Sequence, residues 1–99
     1  MAQVNVYLHS GDPQANPIEL RVDVIGEDNT KTSHLVTVSQ ELYQRLTGGI
    51  KSAEELVKAS FEFLLEREPK ESILQSFDLS QIQKYFPEYE TIISSQFFK

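Results

Sequence analysis

Residues 52–68 read Ser-Ala-Glu-Glu-Leu-Val-Lys-Ala-Ser-Phe-Glu-Phe-Leu-Leu-Glu-Arg-Glu. Ser52 and Glu55 have the spacing of a capping box, in which each side chain satisfies a backbone amide at the other's position. At 100° per residue, Ala53, Leu56, Val57, Ser60, Phe61, Phe63 and Leu64 fall on one wide side. Glu55, Lys58, Glu62 and Glu66 fall on the opposite strip, with Ala59 and Leu65 at the margins. More than half of the circumference is therefore apolar or small. A helix of this kind covers a sheet with one side and meets other elements on its flanks. The spacing predicts a central core helix over 53–68, stopped at Pro69.

The sheet lies upstream. Val4, Val6 and Leu8 alternate with Asn5 and Tyr7, and Ile18, Leu20, Val22 and Val24 alternate with Glu19, Arg21 and Asp23. That is the period of a half-buried strand. Residues 10–17 and 26–30 are turn-rich, and a third strand over 32–38 returns beside the second. The expected fold is α+β, a three-stranded antiparallel sheet (3–8, 18–25, 32–38) with helices over 40–46, 53–68 and 79–86 on one face. Ser39 is placed to cap the first helix, and Thr47-Gly48-Gly49 to end it, with a glycine there accepting the left-handed conformation.

Downstream, Ser76-Phe77-Asp78-Leu79-Ser80-Gln81-Ile82-Gln83-Lys84-Tyr85-Phe86-Pro87-Glu88-Tyr89 specifies a short helix. Asp78 serves as cap, Gln81 reaches back to its amide, and Phe77 meets Ile82 across the entry. Residues 91–99 offer Ile92, Ile93, Phe97 and Phe98 without a clear period, so this tail either packs late or frays.

Composition narrows the function. A chain of 99 residues suits one domain over 1–99. With no cysteine, disulfides, thiol catalysis and cysteine-based metal sites are excluded. No apolar run approaches the roughly 20 residues of a membrane span, and the first residues lack the pattern of a signal peptide. A soluble, cytoplasmic protein with no membrane association is expected. The net charge of −6 comes without any basic cluster, which argues against nucleic acid as a direct ligand.

No set of reactive groups converges. His9, Ser10 and Asp12 share one turn and cannot form a relay, which needs side chains from different elements. His34 lies on the same strand face as Val36 and Val38, as a partly buried sheet histidine. Glu27 and Asp28 match no calcium loop, and Gly48-Gly49 is too little for a phosphate cradle. No catalytic residue, cofactor or metal ligand is assigned. The ring-rich C-terminal third is the functional candidate instead, with six of the ten aromatic residues within 77–98. Tyr85, Tyr89, Glu88, Glu90, Phe97 and Phe98 are its expected partner-binding residues, because rings supply contact area and a polar tip.

The run 63–74, Phe-Leu-Leu-Glu-Arg-Glu-Pro-Lys-Glu-Ser-Ile-Leu, followed by Phe77-Asp78-Leu79-Ser80 and Tyr85-Phe86-Pro87-Glu88-Tyr89, resembles a family of short bacterial proteins of unassigned function. The likeness spans residues 18–90 and implies a bacterial, cytoplasmic, single-domain protein. Residues 35–42, a glycine turn and residues 52–60 are also similar to the strand–helix–helix order of ribbon-helix-helix regulators, including antitoxins. In this chain the first helix is short and the strand has no basic residue to read a groove. Together these readings give a non-enzymatic, acidic protein-interaction or regulatory module whose partner is another protein. An antitoxin-like regulator and an accessory subunit of an enzyme complex are the alternatives.

Overall fold

Alternation in the sequence sets the first three strands of the computed structural model, which describes residues 3–9 and 16–97. They are β1 (Gln3–Leu8), β2 (Ile18–Ile25) and β3 (Lys31–Val38). Each pairs antiparallel with the next, with Val6 opposite Val22 and Val22 opposite His34. Ile18, Leu20, Val22, Val24, Val36 and Val38 face one side and are fully buried. On the other face Asp23 is also buried, held by the Arg21 guanidinium at 3.1 Å and by the Ser33 hydroxyl at 2.8 Å.

Two helices follow, α1 (Gln40–Thr47) and α2 (Ala53–Leu65). Ser39 caps α1 by accepting the Leu42 amide, and Gly48 closes it at φ 66° while its N–H donates to the Gln44 carbonyl. Ser52 and Glu55 form the reciprocal capping box of α2. The wide apolar side of α2 is the one buried, from Ala53 through Leu64. The helix ends at Leu65, earlier than the sequence predicts, because the Arg67 and Glu68 amides both turn onto the Leu64 carbonyl at 2.9 Å. Pro69 keeps the residue before it out of the helical region, so that turn cannot be extended.

The sheet differs from expectation in having four strands, in the order β1-β2-β3-β4, and it is mixed. β4 (Ser76–Asp78) runs parallel to β3, with Val36 opposite Phe77. The Leu35 amide donates to the Gln75 carbonyl at 2.7 Å and the Leu79 amide to the Thr37 carbonyl at 2.8 Å. A parallel pair needs a long crossover, and α1 with α2 supplies it. Three residues are too few to show alternation, which is why the sequence reads them only as a helix entry. That entry is present in part, since the residue capping α3 is Ser80, not Asp78, and its side chain makes no cap bond. The Asp78 amide donates to Gln81 Oε1 at 3.1 Å, and the Asp78 carboxylate accepts the Ser80 amide, also at 3.1 Å. The helix itself, α3, is shorter than expected, at Gln81–Tyr85.

A short 3₁₀ turn at Lys70–Ser72 precedes β4, and α4 (Tyr89–Phe97) follows α3. Most of the expected tail is thus helical, with Ile93 fully buried and α4 packed on α1 and α2. Gln83 joins the last two helices, donating to the Pro87 carbonyl at 2.6 Å and accepting the Glu90 amide at 3.1 Å. No helix among the described residues is long and apolar enough to cross a membrane.

Phe61 is fully buried at the centre of this packing. Phe61→Ala is expected to lower the unfolding free energy by about 3–5 kcal/mol. Ser52→Ala, which removes only the cap, should lower it by about 1 kcal/mol. Urea unfolding followed by circular dichroism measures both, and equal losses would contradict the central position of Phe61.

Candidate partner-binding groove

The C-terminal aromatic residues divide between core and surface. Tyr89 starts α4 and is fully buried against Phe63, with ring centroids 5.3 Å apart. Ser60 Oγ donates its single proton to the Leu56 carbonyl at 2.8 Å, so the Tyr89 hydroxyl donates to Ser60 Oγ at 2.6 Å. Tyr89 is therefore a core residue, a correction to its expected place on a binding rim. The signal was present in the sequence. Tyr89, Ile93 and Phe97 recur at intervals of four, the spacing of one helix face. Phe97 is partly buried against the core, while Phe98 lies outside the described residues.

The two expected acids are tied to neighbouring segments, Glu88 to the turn after α2 and Glu90 to α1. Glu88 faces the Arg67 guanidinium at 3.6 Å, and Glu90 meets Arg45 at 3.1 Å. Arg67 also lies over the Phe63 ring, 3.6 Å from its centroid, and Phe63 meets Phe86 edge to face at 5.8 Å. Glu88 thus helps to hold the arginine that covers this aromatic stack. Both pairs are partly solvated, and pairs open to water contribute little to stability.

Tyr85 is different. It is 70% exposed, and Leu74, which lines the same groove, is 52% exposed. That groove has a volume of about 460 Å³ and is lined as well by Leu64, Ile73, Phe77, Ile82 and Phe86. Glu68, Ser72 and Gln81 supply its polar margin. Each wall follows from the local fold. The end of α2 contributes Leu64, and the hydrogen-bonded entry to α3 sets Phe77 beside Ile82. The Ile73 and Leu74 part of the lining is fixed by His34, which is buried in β3. A carbonyl can only accept, so His34 Nδ1 carries a proton and donates to the Leu74 carbonyl at 2.6 Å, while Nε2 lies 2.8 Å from the Thr32 hydroxyl. Leu74 is the residue that sequence reasoning missed. The bond that anchors its backbone comes from forty positions away along the chain, and no local pattern reports it.

The histidines do not share a site. His9 is exposed at the end of β1, whereas His34 is enclosed by Phe61 and the Leu74 backbone. Among the described residues no three His, Cys, Asp or Glu side chains are grouped to hold a metal ion. No protein-family model, curated protein or solved structure matches the chain.

Burial pushes the Tyr89 phenol above its ordinary value of 10.0, because a phenolate there would lose its hydration. The folded state therefore holds this proton more tightly than the unfolded chain does. The stability it contributes is complete below about 10 and is lost as pH rises beyond that value. Tyr89→Phe should cost about 1 kcal/mol at neutral pH, since Ser60 keeps its bond to Leu56. The same substitution should reduce the alkaline loss of stability. Urea unfolding at neutral pH and at about pH 11 tests this, and an unchanged alkaline loss would contradict it.

Proposed function

We propose that this chain is a non-enzymatic protein-interaction module whose groove beside Tyr85 receives apolar side chains of another protein. The observation that carries the reading is that the exposed Tyr85 and Leu74 line one apolar groove. Exposed apolar surface gathered around a concavity is characteristic of recognition sites, whereas single exposed apolar residues are ordinary. The ring of Tyr85 offers a broad contact with a polar tip, a combination favoured at the centre of protein interfaces. An accessory subunit of an enzyme complex would use the same groove. The regulator reading has less support, because β3 is paired on both sides, to β2 and to β4, and has no edge left to offer a second copy.

Replacing Tyr85 with a photo-crosslinking phenylalanine derivative tests the proposal in cells. A discrete adduct with one protein is expected, abolished by Leu74→Glu and absent when the probe is placed at Gln96. Leu74→Glu should leave the melting temperature within about 2 °C, as expected for an exposed position. Adducts that are the same from both probe positions, or that survive Leu74→Glu, would refute the groove as the contact site.

A further inference from the structure

A second surface lies at the opposite edge of the sheet and shares only Glu68 with the lining of the groove. Among the described residues β1 is an edge strand, since only β2 pairs with it. Its free hydrogen-bonding groups follow from the register. The His9 amide donates to the Glu19 carbonyl at 2.8 Å, and Leu8 lies opposite Leu20. Bonded and non-bonded pairs alternate along an antiparallel ladder, so Gln3, Asn5 and Tyr7 bond to β2. The N–H and C=O groups of Val4, Val6 and Leu8 then point outward from the sheet. Their side chains turn toward the helical layer, where Val6 and Leu8 are only partly covered. Natural edge strands are commonly guarded by lysine, proline or a bulge. This one reads Gln-Val-Asn-Val-Tyr-Leu and has no charge.

The guard, or the attractant, stands beside the strand. A cleft of about 790 Å³ opens over Val4, between the second half of α2 and the β2–β3 turn, with Leu65 on its wall. Glu27, Asp28, Glu62, Glu66, Glu68 and Glu71 line it, against Lys70 as its one base. Lys70 is buried and already engaged, its ammonium donating to the Thr30 hydroxyl at 2.5 Å and to the Glu71 carboxylate. Glu62, Glu66 and Glu68 form no ion pair among the described residues.

We propose that the free edge of β1 and the adjoining acidic cleft together bind an extended, positively charged segment of another protein by strand addition. The backbone of that segment would pair with Val4, Val6 and Leu8. Alternate side chains of an added strand point to the helical side, which brings its lysines or arginines under Glu62 and Glu66. A second copy of this chain fits less well. Two-fold pairing centred on Val6 would bring together two acidic α2 edges from chains of net charge −6, and like charges brought together oppose association.

The test uses a labelled, capped hexapeptide of alternating valine and lysine, titrated against the full chain by fluorescence anisotropy. Three controls accompany it: the same peptide with every backbone nitrogen methylated, a valine–glutamate hexapeptide, and the chain carrying Glu62→Lys with Glu66→Lys. Those two glutamates are exposed, so the variant is expected to fold. Binding of the valine–lysine peptide is expected, weakened at least about tenfold by methylation and at least about fivefold by the double lysine variant. The glutamate peptide should not bind. Val6→Pro, which removes one outward amide at a position where edge strands tolerate proline, should weaken binding by a similar factor. Leu74→Glu should leave it unchanged, which separates this site from the groove.

Equal affinity for the methylated peptide would overturn strand addition, and equal affinity of the lysine variant would overturn the role of the cleft. No binding up to about 1 mM would overturn both. A dimer in sedimentation that Val6→Pro converts to monomer would assign the edge to a second copy instead.

Discussion

The ring of Phe61 lies 5.3 Å from the imidazole of His34 and 5.9 Å from the ring of Phe77, so one side chain of α2 touches both strands of the parallel pair β3 and β4. A parallel ladder closes slowly and over a long loop, and it needs contacts that hold its two strands at one height. Phe61 supplies these from above. His34 supplies them from the side by bonding the Leu74 carbonyl just before β4 begins. Once β4 is set, the entry to α3 is set, because Asp78 belongs to both. Its carboxylate accepts the Thr37 hydroxyl at 2.7 Å across the ladder and the Ser80 amide within the turn. The groove therefore rests on α2 seating Phe61.

Most of the architecture was legible in the sequence wherever a period had room to repeat. β1 and β2 span eight residues or fewer, yet each alternates cleanly against turn-forming neighbours and each occupies its expected range. α2 shows a wide apolar arc with a capping box, and its buried side is the one the 100° projection gives. β4 was illegible for the opposite reason. Three residues contain a single alternation, and Phe77 with Asp78 already has a consistent local meaning as a helix entry. Both meanings hold, the first in part, but only the partner strand reveals the second. The fate of the last segment turned on Tyr89. A tyrosine among glutamates reads as a surface residue unless its spacing of four to Ile93 and Phe97 is given more weight, and the partner of its hydroxyl, Ser60, lies 29 positions away. Tyr85, by contrast, is exposed as its neighbours suggested.

Polar groups inside this protein work as positional pins. Ser60 fixes the start of α4, His34 fixes the approach to β4, and Lys70 fixes the β2–β3 turn to the segment after α2 through Thr30. Each joins elements far apart in sequence, and among the described residues no buried side-chain nitrogen or oxygen lacks a partner. A satisfied buried hydrogen bond contributes only modestly in net terms, while an unsatisfied one is costly. Such pairs therefore discriminate against misplaced packing more than they deepen the native state. The apolar contacts could tolerate small shifts of α4 or of the 70–75 segment. The pins cannot, since any shift would strand a hydroxyl or an imidazole without a partner.

The charge distribution follows a similar logic of exclusion. Residues 52–99 carry nine acids against five bases, whereas residues 1–51 carry six against four, and much of the excess gathers where α2 and its following turn overhang β1. Carboxylates crowded around one cleft repel one another, a cost that an indifferent surface could avoid by spacing them out. Their position beside an uncharged strand edge gives the crowding a physical use. An unguarded edge of valine, asparagine and tyrosine invites pairing with any extended chain, including another copy of itself. Charges within the strand would prevent that by spoiling the edge for every partner. Charges placed above it act selectively, because they oppose an acidic strand and favour a basic one at the same backbone geometry. An edge kept chemically plain and overlooked by glutamates can stay unpaired among its own kind and still be open to a partner of opposite charge.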